Sequence, residues 1–460
     1  MLIHTIQGIQ EMIGGSLQLN GAAADQRVAG VSTDSRIIEQ DNIYIAIAGE
    51  HVDGHTYIDS ANKQGAVLAI IDNEAFVTSS IATLLVEDSV KALQDLAKAY
   101  RESLDIQVIG ITGSNGKTST KDILAAGLMA TYKVTKTLGN QNNEIGVPIT
   151  LLRASKDTDI IVCEMGVENV GDIAFLNPMV QPTMSILTGV GAAHLATLGS
   201  KENVARAKLE IMDALPNDGL FVYYGDDPIL AKVIDEKQNV PVERIRYGEQ
   251  DDNQIQLTSF TQKEDMIYFT TSATNTTFHI QTIGKHQAIN ALAAIACLRQ
   301  LGLTDQQIQA GFDMYEPTGM RNEVVKLDRF TILNDSYKSN PESAQAAIDA
   351  FAGIEGAYRV VILGDMLDLE PDEKMYHKQV GAYVANSSFD ELIAYGPLSK
   401  YYIKQASKIA PNKVYQHMDS HDAIVDYLES LENHSIALLI KGSRGMQLDK
   451  VVDKLRGKYE

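Results

Sequence analysis

The run Ile106-Gln-Val-Ile-Gly-Ile111 leads into Thr112-Gly-Ser-Asn-Gly-Lys-Thr-Ser119, and a helix-favouring segment follows. An apolar strand, a glycine-rich turn and a helix, in that order, make half of a βαβ unit. This part of the chain is therefore committed to a mostly parallel sheet with helices on both faces. Glycines let backbone N–H groups converge on phosphate oxygens, and a helix N-terminus favours an anion. Gly113, Ser114, Asn115, Gly116 and Ser119 then form the cradle, Lys117 reaches the β and γ phosphates, and the Thr118 hydroxyl ligates Mg2+. The full pattern G-x-x-x-x-G-K-[ST] is not met, because position 111 is Ile. A glycine-rich turn that binds nothing is the competing reading.

The chain has 460 residues, room for about three domains. Short β-rich runs at 42–48 and 66–71 flank a helical stretch at 57–64, and 88–101 reads as an amphipathic helix. Strand patterns follow at 133–136, 159–164 and 184–188. Two helical segments, 287–301 and 305–312, precede a break at Glu316-Pro-Thr-Gly319, and α/β alternation then resumes to the end. The expected boundaries are residues 1–84, 85–315 and 316–460, with Tyr315 to Gly319 as a hinge.

A net charge of −21 excludes nucleic acid and anionic membrane as main partners, since both need a basic footprint. It leaves room for a small anionic ligand in a local positive pocket. Two cysteines, Cys163 and Cys297, are too few for a disulfide framework or a four-thiolate zinc site. Met1 to Gly14 lacks a basic region followed by an apolar run, and no long apolar stretch suggests membrane insertion. A cytoplasmic location, where ATP is available, is expected.

Three further residues sit where chemistry is done. Glu164 closes a strand, and acids at the C-terminal ends of parallel strands face the ligand crevice. It is placed to hold Mg2+ opposite Thr118, although a solvated acid would read the same. His194 follows another strand, and Lys208 lies on a helical stretch. Taken alone, each is more often structural.

The run Gly113-Ser-Asn-Gly-Lys-Thr-Ser119 resembles the phosphate loop of the Mur ligases and folylpolyglutamate synthetases. An ordered set of other segments is similar to the MurF type of that family. They include Ser32-Thr-Asp-Ser-Arg36, Gly139-Asn-Gln-Asn-Asn-Glu144, Glu164-Met-Gly166, Ala207-Lys-Leu-Glu-Ile211, Gly284-Lys-His-Gln-Ala-Ile-Asn290, Asn334-Asp-Ser-Tyr-Lys-Ser-Asn-Pro341 and Lys441-Gly-Ser-Arg444. Lys338 departs from the pattern, standing where Asn is common.

The resemblance implies an α/β protein of three domains: an N-terminal α/β UDP-sugar domain, a central phosphate-loop domain with a mostly parallel sheet, and a C-terminal Rossmann-like α/β domain that takes the dipeptide and closes over ATP. It implies ATP-dependent joining of D-alanyl-D-alanine to UDP-N-acetylmuramoyl-tripeptide through an acyl phosphate, in peptidoglycan precursor synthesis. By resemblance, Thr118, Glu164 and His194 are metal positions, and Lys208 is carbamylated to bridge a second Mg2+. Asn290, Arg321 and Asp335 reach ATP; Ser35, Arg36, Asn142 and Asn143 reach the UDP-sugar substrate; and a monomer is expected. Another amide ligase of the same superfamily, or a regulatory P-loop NTPase, remains the alternative.

Overall fold

The computed structural model describes residues 1–192, 195–237, 240–432 and 435–459. Alternation within single strands sets the layers. In Ile160–Glu164, Ile160 and Val162 enter one core and Ile161 and Cys163 the other. Val108 and Ile109 divide the same way in Gln107–Thr112. Successive strand side chains face opposite sides, so a strand apolar at every position needs cover on both faces. Helices Lys117–Met129 and Lys285–Gln300 cover one face. Ser89–Glu102, Asp172–Val180 and Lys201–Leu209 cover the other.

The central sheet runs in the order Thr274–Ile280, Met266–Thr271, Ile255–Lys263, Glu243–Gly248, Leu220–Tyr224, Met184–Leu187, Gln107–Thr112, Ile160–Glu164, Val134–Lys136. The two pairings at the first-named edge are antiparallel and the rest parallel. That hairpin edge extends the sheet beyond the sequence reading. Its strands carry Thr, Ser and Gln on a half-exposed face and so lack a continuous apolar run.

The N-terminal sheet has the order Ser16–Gln18, Ala82–Leu85, Leu68–Ile71, Ile43–Ile45, Val31–Ser32. It shares one core with the central sheet through helix Ser89–Glu102. Leu93 and Leu96 are wholly buried there together with Ile43, Ile70, Leu84, Val108 and Ile161. The helix starts where the Asp88 carboxylate accepts a hydrogen bond from the Lys91 amide at 2.8 Å, satisfying one of the open N–H groups of its first turn.

The C-terminal sheet runs Glu323–Lys326, Phe330–Asp335, Ile436–Lys441, Tyr358–Gly364, Glu391–Tyr395, Val414–Met418, parallel except for the first pair. Tyr315 belongs to the central core, and the linker after it is tethered. Asp122 accepts from the Thr318 amide and hydroxyl (3.2 and 2.7 Å), and Asn322 Nδ2 donates to the Ile283 carbonyl at 2.7 Å. Met320 and Asn322, just past the expected hinge, hold positive φ angles of 62° and 52°.

His377 fixes the loop that carries Leu367 and Asp368 into the interdomain space. Its Nε2 accepts from the Met366 amide at 3.1 Å and its Nδ1 donates to the Glu373 carbonyl at 2.6 Å, which requires a neutral ring. Burial pushes its pKa down, with the Glu373 carbonyl and Asp365 pulling weakly the other way. The unfolded chain, at about 6.5, therefore binds the proton more tightly. The stabilising contribution is full above that pH and is lost as the pH falls through it. Urea unfolding at pH 7.5 and 5.5 should show a larger drop for the natural protein than for His377→Gln.

Candidate functional site

Gln107–Thr112 lies between Ile160–Glu164 and Met184–Leu187, with Glu164 paired to Ile111 and Leu187 to Thr112. All three strands end at one level, and the loops leaving them line a cleft of about 990 Å³. Its opposite wall comes from the C-terminal domain, through Arg321, Asp335, Tyr337, Lys338, Lys441 and Arg444.

The phosphate loop is shaped by neighbours that leave no room for side chains. Gly116 has φ +78°, and a Cβ there would lie 2.6 Å from Asn290 Oδ1. A Cβ on Gly113 would lie 2.0 Å from Thr188 Oγ1. The Ser114 amide donates to the Gly189 carbonyl at 3.0 Å. Lys117 folds back so that its Nζ donates to the Gly113 carbonyl at 2.6 Å. Burial lowers its pKa to about 8 against the pull of Glu164, with Lys338 and Arg321 repelling its charge.

Thr118 Oγ1 donates to Glu164 Oε2 at 2.8 Å, and Asn142 Nδ2 donates to Glu164 Oε1 at 2.8 Å. The expected hydroxyl–carboxylate pair is thus assembled, with Asn142 orienting the acid. Asn143 turns its Oδ1 to the Gly146 amide at 3.0 Å, at the start of helix Gly146–Arg153. Asn290 and Ser119 join the same cleft, the Asn290 amide donating to Gln287 Oε1 at 3.1 Å. Ser35 and Arg36 lie apart from it, on the N-terminal domain. Ser35 is buried there, and the exposed Arg36 pairs with Asp34 at 2.7 Å. The His194 expectation falls outside the described residues.

Lys208, on helix Lys201–Leu209, is 1% exposed, and no described residue accepts a hydrogen bond from it. Burial first, then repulsion from Lys117 and Lys338, drives its pKa well below the ordinary lysine value. Burial of this kind favours the neutral, nucleophilic form of an amine.

On the opposite wall, the Arg321 guanidinium stacks 3.8 Å above the Tyr337 ring. Asp335 Oδ1 accepts from the Asn322 amide at 3.1 Å, and its Oδ2 lies 2.5 Å from Lys441 Nζ. Sequence reasoning assigned no role to Tyr337, Lys441, Arg444 or Glu342. The signal was present, because 337–342 and 441–444 follow the C-terminal ends of parallel strands.

The donors suit Mg2+ in part. Thr118 and Glu164 are hard oxygen ligands side by side, and Mg2+ completes its shell with water and phosphate oxygens. Lys208 as an ammonium would repel a cation and fits a metal only after conversion to an anion. Among the described residues no cluster of three or more His, Cys, Asp or Glu side chains could hold a metal.

Comparison with known proteins agrees with this architecture. Models of the Mur ligase family catalytic domain, the Mur ligase middle domain and the Mur ligase glutamate ligase domain match residues 27–101, 111–298 and 320–444. The chain is 36% identical over 459 residues to the UDP-N-acetylmuramoyl-tripeptide--D-alanyl-D-alanine ligase of Bacillus subtilis, covering 99% of each chain. It is 30% identical to that of Escherichia coli over 469 residues, again at 99% of each. The crystal structure of MurF from Acinetobacter baumannii superposes with a TM-score of 0.87 at 25% identity, covering 99% of both chains. MurF ligase from Thermotoga maritima in complex with ADP superposes at 0.79 with 26% identity, over 94% of this chain and 99% of that one.

Gly116→Ala should leave the fold intact and weaken binding of a non-hydrolysable ATP analogue at least tenfold by calorimetry. Its Cβ would both strain a left-handed backbone and displace Asn290.

Proposed function

The chain belongs to the Mur ligase family, and we propose that it joins D-alanyl-D-alanine to UDP-N-acetylmuramoyl-tripeptide in an ATP-dependent reaction. The observation that carries this reading is one cleft in which Lys117, Thr118 and Glu164 of the central domain face Arg321, Asp335 and Lys441 of the C-terminal domain. An activated carboxyl needs shielding from water while a second substrate arrives, and a cleft closed by two domains supplies that.

The terminal carboxylate of the tripeptide attacks the γ-phosphorus of ATP. The bond to the bridging oxygen breaks, ADP leaves, and an acyl phosphate forms. The dipeptide amine, having lost its proton, attacks the acyl carbon, and phosphate departs as the amide forms. Phosphoryl transfer asks mainly for positioning and charge neutralisation. The amides of residues 115–118 and the Lys117 ammonium hold the phosphates, and Asn290, beside Gly116, contributes to ATP binding. Arg321 and Asp335 close on ATP from the other wall. Thr118 and Glu164 would hold Mg2+, which would supply charge neutralisation at the phosphates. Lys208, whose burial favours the neutral amine, would add to carbon dioxide and release a proton to become a carbamate, and that anion together with His194 would suit a second Mg2+. Ser35 and Arg36 bind the UDP-sugar end, while Asn142 and Asn143 border the peptide end.

Residues 1–84, 85–315 and 316–460 then serve as the sugar-nucleotide, ATP and dipeptide domains. The cleft is complete within one chain, which fits a monomer. No helix among the described residues is long and apolar enough to cross a membrane. ATP and a nucleotide-sugar as substrates support a cytoplasmic location.

Phosphate release from ATP should require UDP-N-acetylmuramoyl-tripeptide, Mg2+ and D-alanyl-D-alanine together, with the pentapeptide product seen by mass. Turnover indifferent to the dipeptide, or satisfied by a single amino acid, overturns this assignment. Removing Mg2+ with EDTA should abolish release. Lys208→Ala should lower kcat by about 100-fold or more, as expected for losing a charge-stabilising group at the transferring phosphoryl.

A further inference from the structure

Lys338 reaches the reacting end of the cleft from the C-terminal domain, on the loop after strand Phe330–Asp335. The loop is held at both ends. Lys441 Nζ donates to the Lys338 carbonyl at 2.9 Å, and the Tyr337 amide donates to the Met320 carbonyl at 3.2 Å. Two residues on, Asn340 Nδ2 donates to Asn115 Oδ1 at 2.8 Å, so the loop docks directly on the phosphate loop. Glu342 continues the contact, pairing with Lys201 at 2.8 Å and accepting from the Ala192 amide at 3.3 Å. Lys338, Lys117 and Arg321 line the same cleft as Glu164, with Asp368 and Glu168 also facing Lys338.

We propose that the Lys338 ammonium contacts the transferring γ-phosphoryl group, making it a phosphate-neutralising residue that the C-terminal domain supplies as it docks on the phosphate loop. The inference rests on the ligase reading above and adds a residue to its first step. Lys338 acts as a charge and transfers no proton. It stabilises the phosphoryl oxygens while the carboxylate–phosphorus bond forms and the electron pair of the breaking bond leaves with ADP.

The electrostatics agree with this placement. Lys338 repels the charges of both Lys117 and Lys208, and Glu164 attracts it in turn. Its own pKa is lowered by burial first, with Asp368, Glu168 and Glu164 opposing. A multiply charged anion between Lys338, Lys117 and Arg321 favours the charged form of each, and a γ-phosphoryl group is such an anion. The dipeptide's carboxylate is the alternative anion. It lies up to about 7 Å, two residues, from the amine that attacks the acyl carbon.

The test separates the two half-reactions. Positional isotope exchange in oxygen-labelled ATP, run with UDP-N-acetylmuramoyl-tripeptide and no dipeptide, reads acyl-phosphate formation alone. Lys338→Met should slow this exchange about 100-fold, with the heat-unfolding midpoint and the KM for D-alanyl-D-alanine unchanged. Lys338→Arg should recover most of the rate. Should Lys338→Met fold poorly, Lys338→Asn provides the same comparison with a neutral polar side chain. Normal exchange in the neutral variants overturns the proposal, as does a raised dipeptide KM with exchange retained. No exchange in the natural protein overturns the ligase reading instead.

Discussion

The site depends on the pairing of three parallel strands, Ile160–Glu164, Gln107–Thr112 and Met184–Leu187. Their register brings Glu164 level with Ile111 and lets Thr188 follow Leu187 directly beside the phosphate loop. The Thr118–Glu164 hydrogen bond, between residues 46 apart in sequence, is a consequence. So is the tight contact of Thr188 against Gly113. A one-residue slip would turn every side chain of a strand to the opposite face and send Glu164 into a core. The apolar residues on both faces prevent it, since Ile161 and Cys163 fill one core while Ile160 and Val162 fill the other.

Charge is distributed unevenly on this frame. The chain carries a net charge of −21, and the cleft sets Lys117, Lys338, Arg321, Lys441 and Arg444 among carboxylates that include Glu164, Asp335 and Asp368, with Lys208 buried nearby. Burial first, then mutual repulsion, lowers the pKa of the lysines at its reacting end. An anionic substrate favours their charged forms, which couples binding to charge neutralisation.

Closure is coupled to the same frame by polar contacts. Asn340 meets Asn115 in the phosphate loop, Glu342 meets Lys201 at the start of the helix that carries Lys208, and Thr318 meets Asp122 on the helix after the phosphate loop. Interdomain contacts made of single hydrogen bonds and a half-exposed ion pair are individually weak, on the order of 1 kcal/mol each. The domains can therefore separate to admit substrate and still be steered into one arrangement. The N-terminal domain differs in kind. Helix Ser89–Glu102 buries Leu93 and Leu96 in a core common to two sheets, so that junction is apolar and rigid.

Much of this was legible in order along the chain. The strand–glycine loop–helix unit, the central strands around it and the helices 285–300 and 305–312 have strong local signals: apolar runs, glycines at positive φ and helical periodicity. Lys117 and Thr118 followed from that unit, and Glu164 followed from its place at a strand end. The edge strands 255–280 were not legible, because their half-polar faces lack an apolar run. Nor was the far wall of the cleft. The sequence by itself determined which residues form the phosphate loop, because backbone sterics and hydrogen bonding act over a few neighbouring positions. Only the tertiary structure decided that Asn340 meets Asn115 of that loop across a separation of 225 residues. It also decided that Lys208 is buried. Both outcomes depend on how sheets pack across a domain junction, and burial and Coulomb fields there sum over residues that no local pattern connects.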